Sequence, residues 1–190
     1  LNNLNDYVPI FSESVIYTSL LLLIFFLFDD YKHVKYIYRL AFQALASLII
    51  IFITGVQITN FGNLLGFGGY ELGIFSIPIT VFCVVGVMNA FNMIDGINGL
   101  CAGFALLMLL FSGFHSGFIY DSLLIFVIGS ILGFLVYNLR IIGKKRAVFL
   151  GDSGSNILGF IVAWVAIYCS QNQFYDVNAI TMVWFIAIPL

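Results

Sequence analysis

The sequence contains very few charged residues. Only 8% of its 190 residues are Asp, Glu, Lys or Arg, whereas 62% are hydrophobic. A soluble domain carries roughly 25% charged residues, so this composition excludes a soluble globular domain. It predicts an all-α fold, a polytopic integral membrane helix bundle. The formal net charge of −2 says little about partners, because the placement of charges matters more than their sum.

Several common motifs are also missing. The three cysteines lie in or beside apolar runs without CxxC or metal-ligand spacing, so we infer no disulfide and no redox site. A Walker-type phosphate loop is absent, and residues 1–13 lack the basic start of a secretory signal. The chain begins at Leu1, and its last apolar run is shorter than the ~20 residues that span a bilayer. We therefore expect a single transmembrane domain, residues 1–190, truncated at both ends.

Apolar runs alternate with short polar segments along the whole chain. Several runs are shorter than ~20 residues, so their polar ends must continue into the loops or the membrane must thin locally. The pattern predicts about seven transmembrane spans: Ser14–Phe28, Tyr36–Ile53, Leu72–Met88, Leu100–Phe114, Ser122–Leu139, Ile157–Ser170 and Ala179–Leu190.

The basic residues fall in two clusters, at positions 32–39 and 140–146. If the spans alternate sides, both clusters lie on one membrane face, which the positive-inside rule makes cytoplasmic. The alternation predicts that five acids lie on the outer face: Asp6, Glu13, Glu71, Asp121 and Asp176. It predicts that four acids, each beside an apolar run, lie on the cytoplasmic face: Asp29, Asp30, Asp95 and Asp152.

The segment at residues 89–100 joins two apolar runs yet is rich in polar residues. On a helix, its four polar side chains would form one slowly rotating stripe, because they recur at every third position: Asn89, Asn92, Asp95 and Asn98. Gly96 and Gly99 interrupt the helical preference beside the acid. This pattern predicts a helix end where the backbone approaches a ligand closely.

Adjacent acids end the first apolar run. Asp29 and Asp30 repel each other, and a helix C-terminus disfavours their negative charge. A divalent cation would relieve both penalties, although a solvated helix end is the simpler alternative.

The segment at residues 148–156 leads into the sixth run. Asp152 lies between Gly151 and Gly154 at a predicted helix start, where exposed N–H groups favour phosphate. A basic stretch precedes it and suits the same ligand: Arg140, Lys144, Lys145 and Arg146. The alternatives are an ordinary capped helix start and a purely topological basic signal.

Acids, amides and cations on one membrane face suit metal-assisted phosphoryl transfer. Mg²⁺ prefers one or two carboxylates with phosphate oxygens and water. Asn138, next to the basic stretch, could face the same cleft. The alternatives from other classes are a transporter or channel, which predicts acids near span centres and repeated halves, and a structural membrane subunit.

The motifs resemble a known family. Residues 89–100 (NAFNMIDGINGL), residues 148–155 (VFLGDSGS) and the earlier Asp29-Asp30 are similar, in wording and order, to the signatures of the polyprenyl-phosphate N-acetylhexosamine-1-phosphate transferases. The wording most resembles the WecA type, which uses undecaprenyl phosphate and N-acetylglucosamine, rather than the MraY type. Asn98 stands where the WecA pattern commonly has a second aspartate, and the family's C-terminal histidine-rich loop and earliest helices are not in the chain.

The resemblance implies a multi-pass enzyme of the bacterial inner membrane with its active site on the cytoplasmic face. The enzyme would transfer a sugar 1-phosphate from a UDP-sugar to a polyprenyl phosphate and release UMP, with Mg²⁺ or Mn²⁺ as cofactor, in the first membrane step of surface-glycan synthesis. A homodimer is compatible with it, and no nucleic acid is expected. The implied catalytic residues are Asp29, Asp30 and Asp95. Asp152 and Asp30 are the expected metal ligands. The expected substrate-binding residues are Asn89, Asn92, Asn98, Asn138, Lys144, Lys145 and Arg146.

Overall fold

The computed structural model describes residues 4–32, 34–62, 71–116, 122–143 and 148–171. These ranges form six α-helices, one 3₁₀ turn (Gly73–Phe75) that leads into the third helix, and an isolated bridge between Asn60 and Glu71, with no longer strand among them. The helices are α1 (Leu4–Lys32), α2 (Tyr36–Thr54), α3 (Ser76–Ile94), α4 (Leu100–Ser116), α5 (Ser122–Asn138) and α6 (Gly151–Gln171).

The predicted all-α membrane bundle is confirmed, but seven spans are not. Four segments are long and apolar enough to cross a bilayer: Ile10–Lys32, Tyr36–Thr54, Gly73–Ile94 and Gly151–Gln171. Helices α4 and α5 have 17 residues each, so they rise only about 26 Å, less than the ~30 Å hydrocarbon core. The seventh predicted run, from residue 179, lies outside the described residues.

Helix α6 forms the centre of the bundle. It packs against α1, α3 and α4, and all residues from Leu158 to Cys169 are buried. Twelve consecutive buried residues make more than three helical turns, so protein surrounds this part of α6 on every side. The helix begins at Gly151, so Asp152 lies at a helix start, as predicted. Polar side chains in these first turns, which precede the apolar run, hydrogen-bond to the helix itself and to its neighbours.

Gly159 allows α3 and α6 to approach each other closely. A Cβ atom added at this position would lie 2.8 Å from the Cα of Met88 and 3.1 Å from the carbonyl oxygen of Val87. Both are backbone atoms of α3, so neither can move aside by a change of rotamer. Small residues at such contacts are a usual means of packing helices in membranes.

We expect Gly159→Ala to destabilise the protein by about 1–3 kcal/mol, because the added methyl group must push α3 and α6 apart. Thermal unfolding of the purified protein in detergent would measure the change. Gly133→Ala is the matched control, since Gly133 is an exposed position in α5 with nothing within 4 Å of an added Cβ. Equal unfolding temperatures for the two variants would contradict the close contact.

Acidic residues lie near both ends of the bundle. At the C-terminal end of α6, the Gln171 side chain accepts hydrogen bonds from the backbone N–H and the hydroxyl of Thr59, at 2.9 and 2.8 Å. The next residue, Asn60, forms the isolated bridge with Glu71. The 21 residues of α6 span about 30 Å. Glu71 and Asp152 therefore lie at opposite ends of the bundle, as the alternation of spans predicts.

Candidate functional site

Side chains from α1, from α2 and from the turn after α3 meet the first turn of α6. The hydroxyl of Ser153 donates a hydrogen bond of 2.6 Å to the carboxylate of Asp30, at the end of α1. Arg39 of α2 places a guanidinium nitrogen 3.7 Å from the carboxylate of Asp152. Asp95, just after α3, accepts a hydrogen bond from the backbone N–H of Gly151. Residues far apart in sequence thus converge at one helix start.

The neighbouring acids Asp29 and Asp30 have different surroundings. Asp29 is fully buried, and its Oδ2 lies 2.6 Å from Nε of Arg39, while its Oδ1 accepts a 2.8 Å hydrogen bond from the N–H of Val34. Neither atom of the ion pair has a hydrogen bond to another described residue, so each depends on the other for compensation. The cation that relieves Asp29 is therefore Arg39, and the exposed carboxylate is that of Asp30.

Arg39 connects this buried acid to the site. Its side chain contacts both Asp29 and Asp152, and it retains about a third of its exposure, at 32%. Sequence reasoning used Arg39 only as a topology signal and missed this role. A guanidinium that is held by one carboxylate and reaches another can also meet a phosphate.

We expect Arg39→Leu to destabilise the protein by about 3–5 kcal/mol, because it leaves the Asp29 carboxylate buried without a partner. The double variant Arg39→Leu/Asp29→Leu should recover most of this loss, since an apolar pair needs no compensation. Denaturant unfolding of the purified protein measures both effects.

Lys35→Leu is the control for that experiment. Lys35 is an exposed basic residue immediately before α2, with no ion pair to the described residues, so its replacement should change stability by less than about 0.5 kcal/mol. A single variant Arg39→Leu as stable as Lys35→Leu would show that Asp29 does not depend on the pair.

Asp95 and Asp152 form the like-charged pair of the site. Helix α3 ends at Ile94, and Asp95 lies half-buried in the turn that follows. Burial raises the pKa of Asp95, the charge of Asp152 raises it further, and the hydrogen bond from Gly151 lowers it. The Asp152 side chain is 54% exposed. A cation between the two carboxylates would relieve their repulsion.

This donor set fits a magnesium ion with substrate. No three His, Cys, Asp or Glu side chains among the described residues are grouped closely enough to hold a metal on their own. Mg²⁺ needs only one or two carboxylates when phosphate oxygens and water complete its shell. Asp95 and Asp152 can supply these two. Asp30 is predicted to share the ion with Asp152. Its carboxylate accepts a hydrogen bond from the hydroxyl of Ser153, the residue after Asp152, and its role as a metal ligand stays a prediction.

The polar stripe of α3 points partly into the bundle. Asn89 donates hydrogen bonds to the side-chain oxygen of Gln43, at 2.9 Å, and to a carbonyl of its own helix. Asn92 donates to the hydroxyl of Ser155, at 3.1 Å. Asn98 is exposed in the turn after α3. Two of the predicted substrate-binding amides therefore bind other helices, and their contact with a substrate stays a prediction.

Asn138 joins the two motif segments. It is the last residue of α5 and is buried. Its side-chain oxygen accepts a hydrogen bond from the N–H of Gly99, and its side-chain nitrogen donates one of 2.8 Å to the carbonyl of Val148. Asn138 thus fixes the Asp95 turn relative to the chain that enters α6. The other predicted substrate-binding residues, Lys144, Lys145 and Arg146, lie outside the described residues.

Sequence reasoning also missed Gln43. This residue is buried, and its side chain bonds to both Asn89 and Asn156. The available signal was its position, since it is the one amide side chain in an apolar helix that contains a single charged residue. A polar residue within a membrane span commonly has a partner and a function.

The chain matches known proteins over most of its length. The model of the family described as glycosyl transferase family 4 matches residues 13–170, a range that includes every helix start and turn of the site. The chain is also similar to curated bacterial proteins named undecaprenyl-phosphate alpha-N-acetylglucosaminyl 1-phosphate transferase.

Three of these relatives give the extent of the similarity. The protein of Yersinia pestis is 32% identical over 98% of this chain and 52% of its own length. That of Escherichia coli strain K12 is 33% identical over 85% of this chain and 45% of its own. That of Haemophilus influenzae is 34% identical over 92% and 51%. The chain spans about half the length of the curated relatives it matches.

Proposed function

The chain belongs to glycosyl transferase family 4, and on that premise we propose that it is part of an enzyme that transfers N-acetylglucosamine 1-phosphate, or a related N-acetylhexosamine 1-phosphate, from a UDP-sugar to undecaprenyl phosphate. The products are UMP and a lipid-linked sugar pyrophosphate, with which the synthesis of a surface glycan begins. The names of the relatives favour this reaction over transfer of a phospho-N-acetylmuramoyl-pentapeptide.

One observation carries the proposal: Asp95 and Asp152 meet at the first turn of α6, with Arg39 beside them. A helix start offers N–H groups and a positive dipole end to a phosphate, and the guanidinium adds a full positive charge. The two acids would hold Mg²⁺ or Mn²⁺. When bound, the ion neutralises the charge that builds on the pyrophosphate as its bond breaks.

The residues of the chain then have separate tasks. The first turn of α6 and Arg39 bind and orient the donor pyrophosphate. Asp30, whose exposed carboxylate lies beside the same turn, faces the acceptor and takes any proton left on the lipid phosphate. An oxygen of that phosphate forms a bond to the phosphorus attached to the sugar, and the bond from this phosphorus to the UMP oxygen breaks. The outer faces of the helices are apolar, so the polyprenyl chain of the acceptor can stay in the bilayer while its phosphate reacts.

A transporter remains a weaker candidate. Its coupling residues would lie near the middle of the spans, whereas Asp30, Asp95 and Asp152 lie at helix ends.

We propose that the protein lies in the inner membrane of a bacterium and that the helix ends with these acids face the cytoplasm, because both basic clusters are close to them in sequence. Labelling of single cysteines introduced at positions 95 and 152 from the periplasm would contradict this orientation.

A UMP-release assay on the full-length protein tests the proposed reaction. The expected result is release of UMP only when a UDP-sugar, undecaprenyl phosphate and Mg²⁺ or Mn²⁺ are all present, with the preferred sugar identified by a panel of donors. Omission of the lipid acceptor is the control for simple hydrolysis. Failure of every donor in a well-folded, lipid-supplied preparation would reject the function.

A further inference from the structure

A chain of side-chain amides crosses the bundle next to the candidate site. Gln43, near the middle of α2, is only 1% exposed. Its amide nitrogen donates a hydrogen bond of 2.8 Å to the side-chain oxygen of Asn156 on α6. Its amide oxygen accepts one of 2.9 Å from Asn89 on α3. One side chain thus links three helices.

The series of hydrogen-bonded amides continues to Asp152, the proposed metal ligand. The side-chain nitrogen of Asn156, itself only 4% exposed, donates a hydrogen bond of 2.8 Å to the backbone carbonyl of Asp152. Gln43 and Asn156 each accept a hydrogen bond with the amide oxygen and donate one with the amide nitrogen. Neither Gln43 nor Asn156 can therefore rotate its amide by half a turn without opposing like atoms.

We propose that Gln43 is a positioning residue, which sets the orientation of the first turn of α6 through Asn156 and so directs the carboxylate of Asp152. The inference rests on the proposed function for its catalytic meaning, but not for its structural content. Arg39 precedes Gln43 by four residues and lies on the same face of α2, where it contacts Asp152 directly. Helix α2 thus holds the start of α6 from two successive turns.

An apolar residue would fill this position more simply. A buried amide is unfavourable unless its donor and acceptor are both paired, and α2 is otherwise apolar from Leu40 to Ala46. The amide fixes the orientation of α6 relative to α2 and α3, because hydrogen bonds are directional and apolar packing is not. Ser47, on the next turn, shows the contrast: it is equally buried, yet its hydroxyl donates to the carbonyl of Gln43 within α2.

The first test compares Gln43→Leu with the matched control Ser47→Ala in the full-length protein in lipid nanodiscs. Hydrogen exchange of the backbone amides at 155–157, which close the first turns of α6, reports positioning without any need for activity. We expect Gln43→Leu to speed this exchange about tenfold or more, while the amides at 160–169 change little. Ser47→Ala should leave the exchange at 155–157 within about twofold of the parent protein.

The second readout is the UMP-release reaction. We expect Gln43→Leu to lower kcat about 10–100-fold and to raise the Mg²⁺ concentration for half-maximal activity, about tenfold, with KM for the UDP-sugar nearly unchanged. Ser47→Ala should keep all three values. A general packing defect would instead reduce the amount of folded enzyme without changing its metal requirement.

Gln43→Glu provides a variant of nearly the same shape. A protonated Glu can accept from Asn89 and donate to Asn156, as Gln does, whereas an ionised Glu can only accept. The three linked helices contain only two charged residues, Arg39 and Asp152. Helix α1, which packs against α2 and α6, adds Asp29, which pairs with Arg39, and Asp30, which accepts from Ser153. Burial beside these acids favours the neutral form of the Glu. The activity of Gln43→Glu relative to the parent should therefore fall as pH rises, while that of Gln43→Leu stays uniformly low.

The outcomes are distinguishable. Folded Gln43→Leu with parental exchange at 155–157 would overturn the positioning role, as would a Gln43→Glu variant that keeps parental exchange there at a pH at which its Glu side chain is ionised. If Gln43→Leu does not fold, the exchange and pH profile of Gln43→Glu decide. If the parent releases no UMP from any donor, the proposed function fails, and the exchange measurement still decides the role of Gln43.

Discussion

Replacing Asp152 with Asn should lower metal-dependent turnover by orders of magnitude while the protein stays folded. The first turn of α6 uses the backbone carbonyl of Asp152, which accepts from Ser155 and Asn156 and is retained in the variant. The carboxylate is 54% exposed and lies 3.7 Å from Arg39, and such an exposed contact contributes only about 0–1 kcal/mol to stability. The substitution therefore removes a charge needed to hold the metal and little else.

UMP release measured against Mg²⁺ concentration, together with thermal unfolding, tests this prediction in the full-length protein. Asn98→Asp is the matched control, because it makes the reverse exchange at an exposed position of the neighbouring turn and should have a far milder effect. Near-normal turnover and magnesium dependence in Asp152→Asn would show that Asp152 is not the metal ligand, and Asp95 or Asp30 would then take that role.

Asp95→Asn should have opposite effects on activity and on stability. Loss of its carboxylate should again lower turnover by orders of magnitude, because the second acid of the proposed metal pair is removed. In the absence of metal, however, burial and the charge of Asp152 both raise the pKa of Asp95, so its ionised form is unfavourable in the folded state. The variant should unfold at a higher temperature than the parent at pH 7 without metal, by about 2–4 °C for each kcal/mol relieved.

The pH dependence has a defined sign. Below the unfolded-state pKa of about 3.9, Asp95 is protonated in both states, and the parent has no penalty. As pH rises through the raised pKa of the folded state, ionisation becomes costly and the parent loses stability relative to Asp95→Asn. Unfolding temperatures of both proteins from pH 4 to pH 8 measure this loss.

Glu71→Gln serves as the control, since Glu71 is an exposed acid at the far end of the bundle and should show no such trend. Added Mg²⁺ should narrow the gap between the parent and Asp95→Asn, because an ion that binds the folded parent stabilises it. An Asp95→Asn variant that is less stable than the parent at every pH would show that ionisation of Asp95 is not unfavourable in the folded protein.

Hydrophobicity and charge placement were sufficient to predict much of the fold. Six of the predicted apolar runs correspond to the helices α1 to α6, with differences of a few residues at their ends, and acids predicted on one membrane face meet at one helix start. Both conclusions rest on properties of whole segments, such as the length of an apolar run and the membrane side of a loop. These properties can be read from the sequence without knowing which helices pack together. Two of the seven predicted spans are wrong because α4 and α5 are too short for a full crossing, and the seventh lies outside the described residues.

The different environments of Asp29 and Asp30 could not be predicted in the same way. Adjacent residues on a helix point about 100° apart, and only the packing of α2 determines that Asp29 meets Arg39 inside the protein. The link from Gln43 to Asn156 joins positions 113 residues apart. A sequence records that such polar residues are present, but the pairing depends on how the helices pack.

The surrounded position of α6 has a consequence for the way the protein is made. Of the four helices that could cross the membrane, α6 has the lowest mean hydropathy, and its first turns carry buried polar residues. Lipid would receive such a segment poorly if it entered the bilayer alone. The partners of its polar turns, Gln43 on α2 and Asn92 on α3, are synthesised earlier. Membrane integration of α6 is thus expected to follow, and to depend on, prior assembly of the helices that receive it.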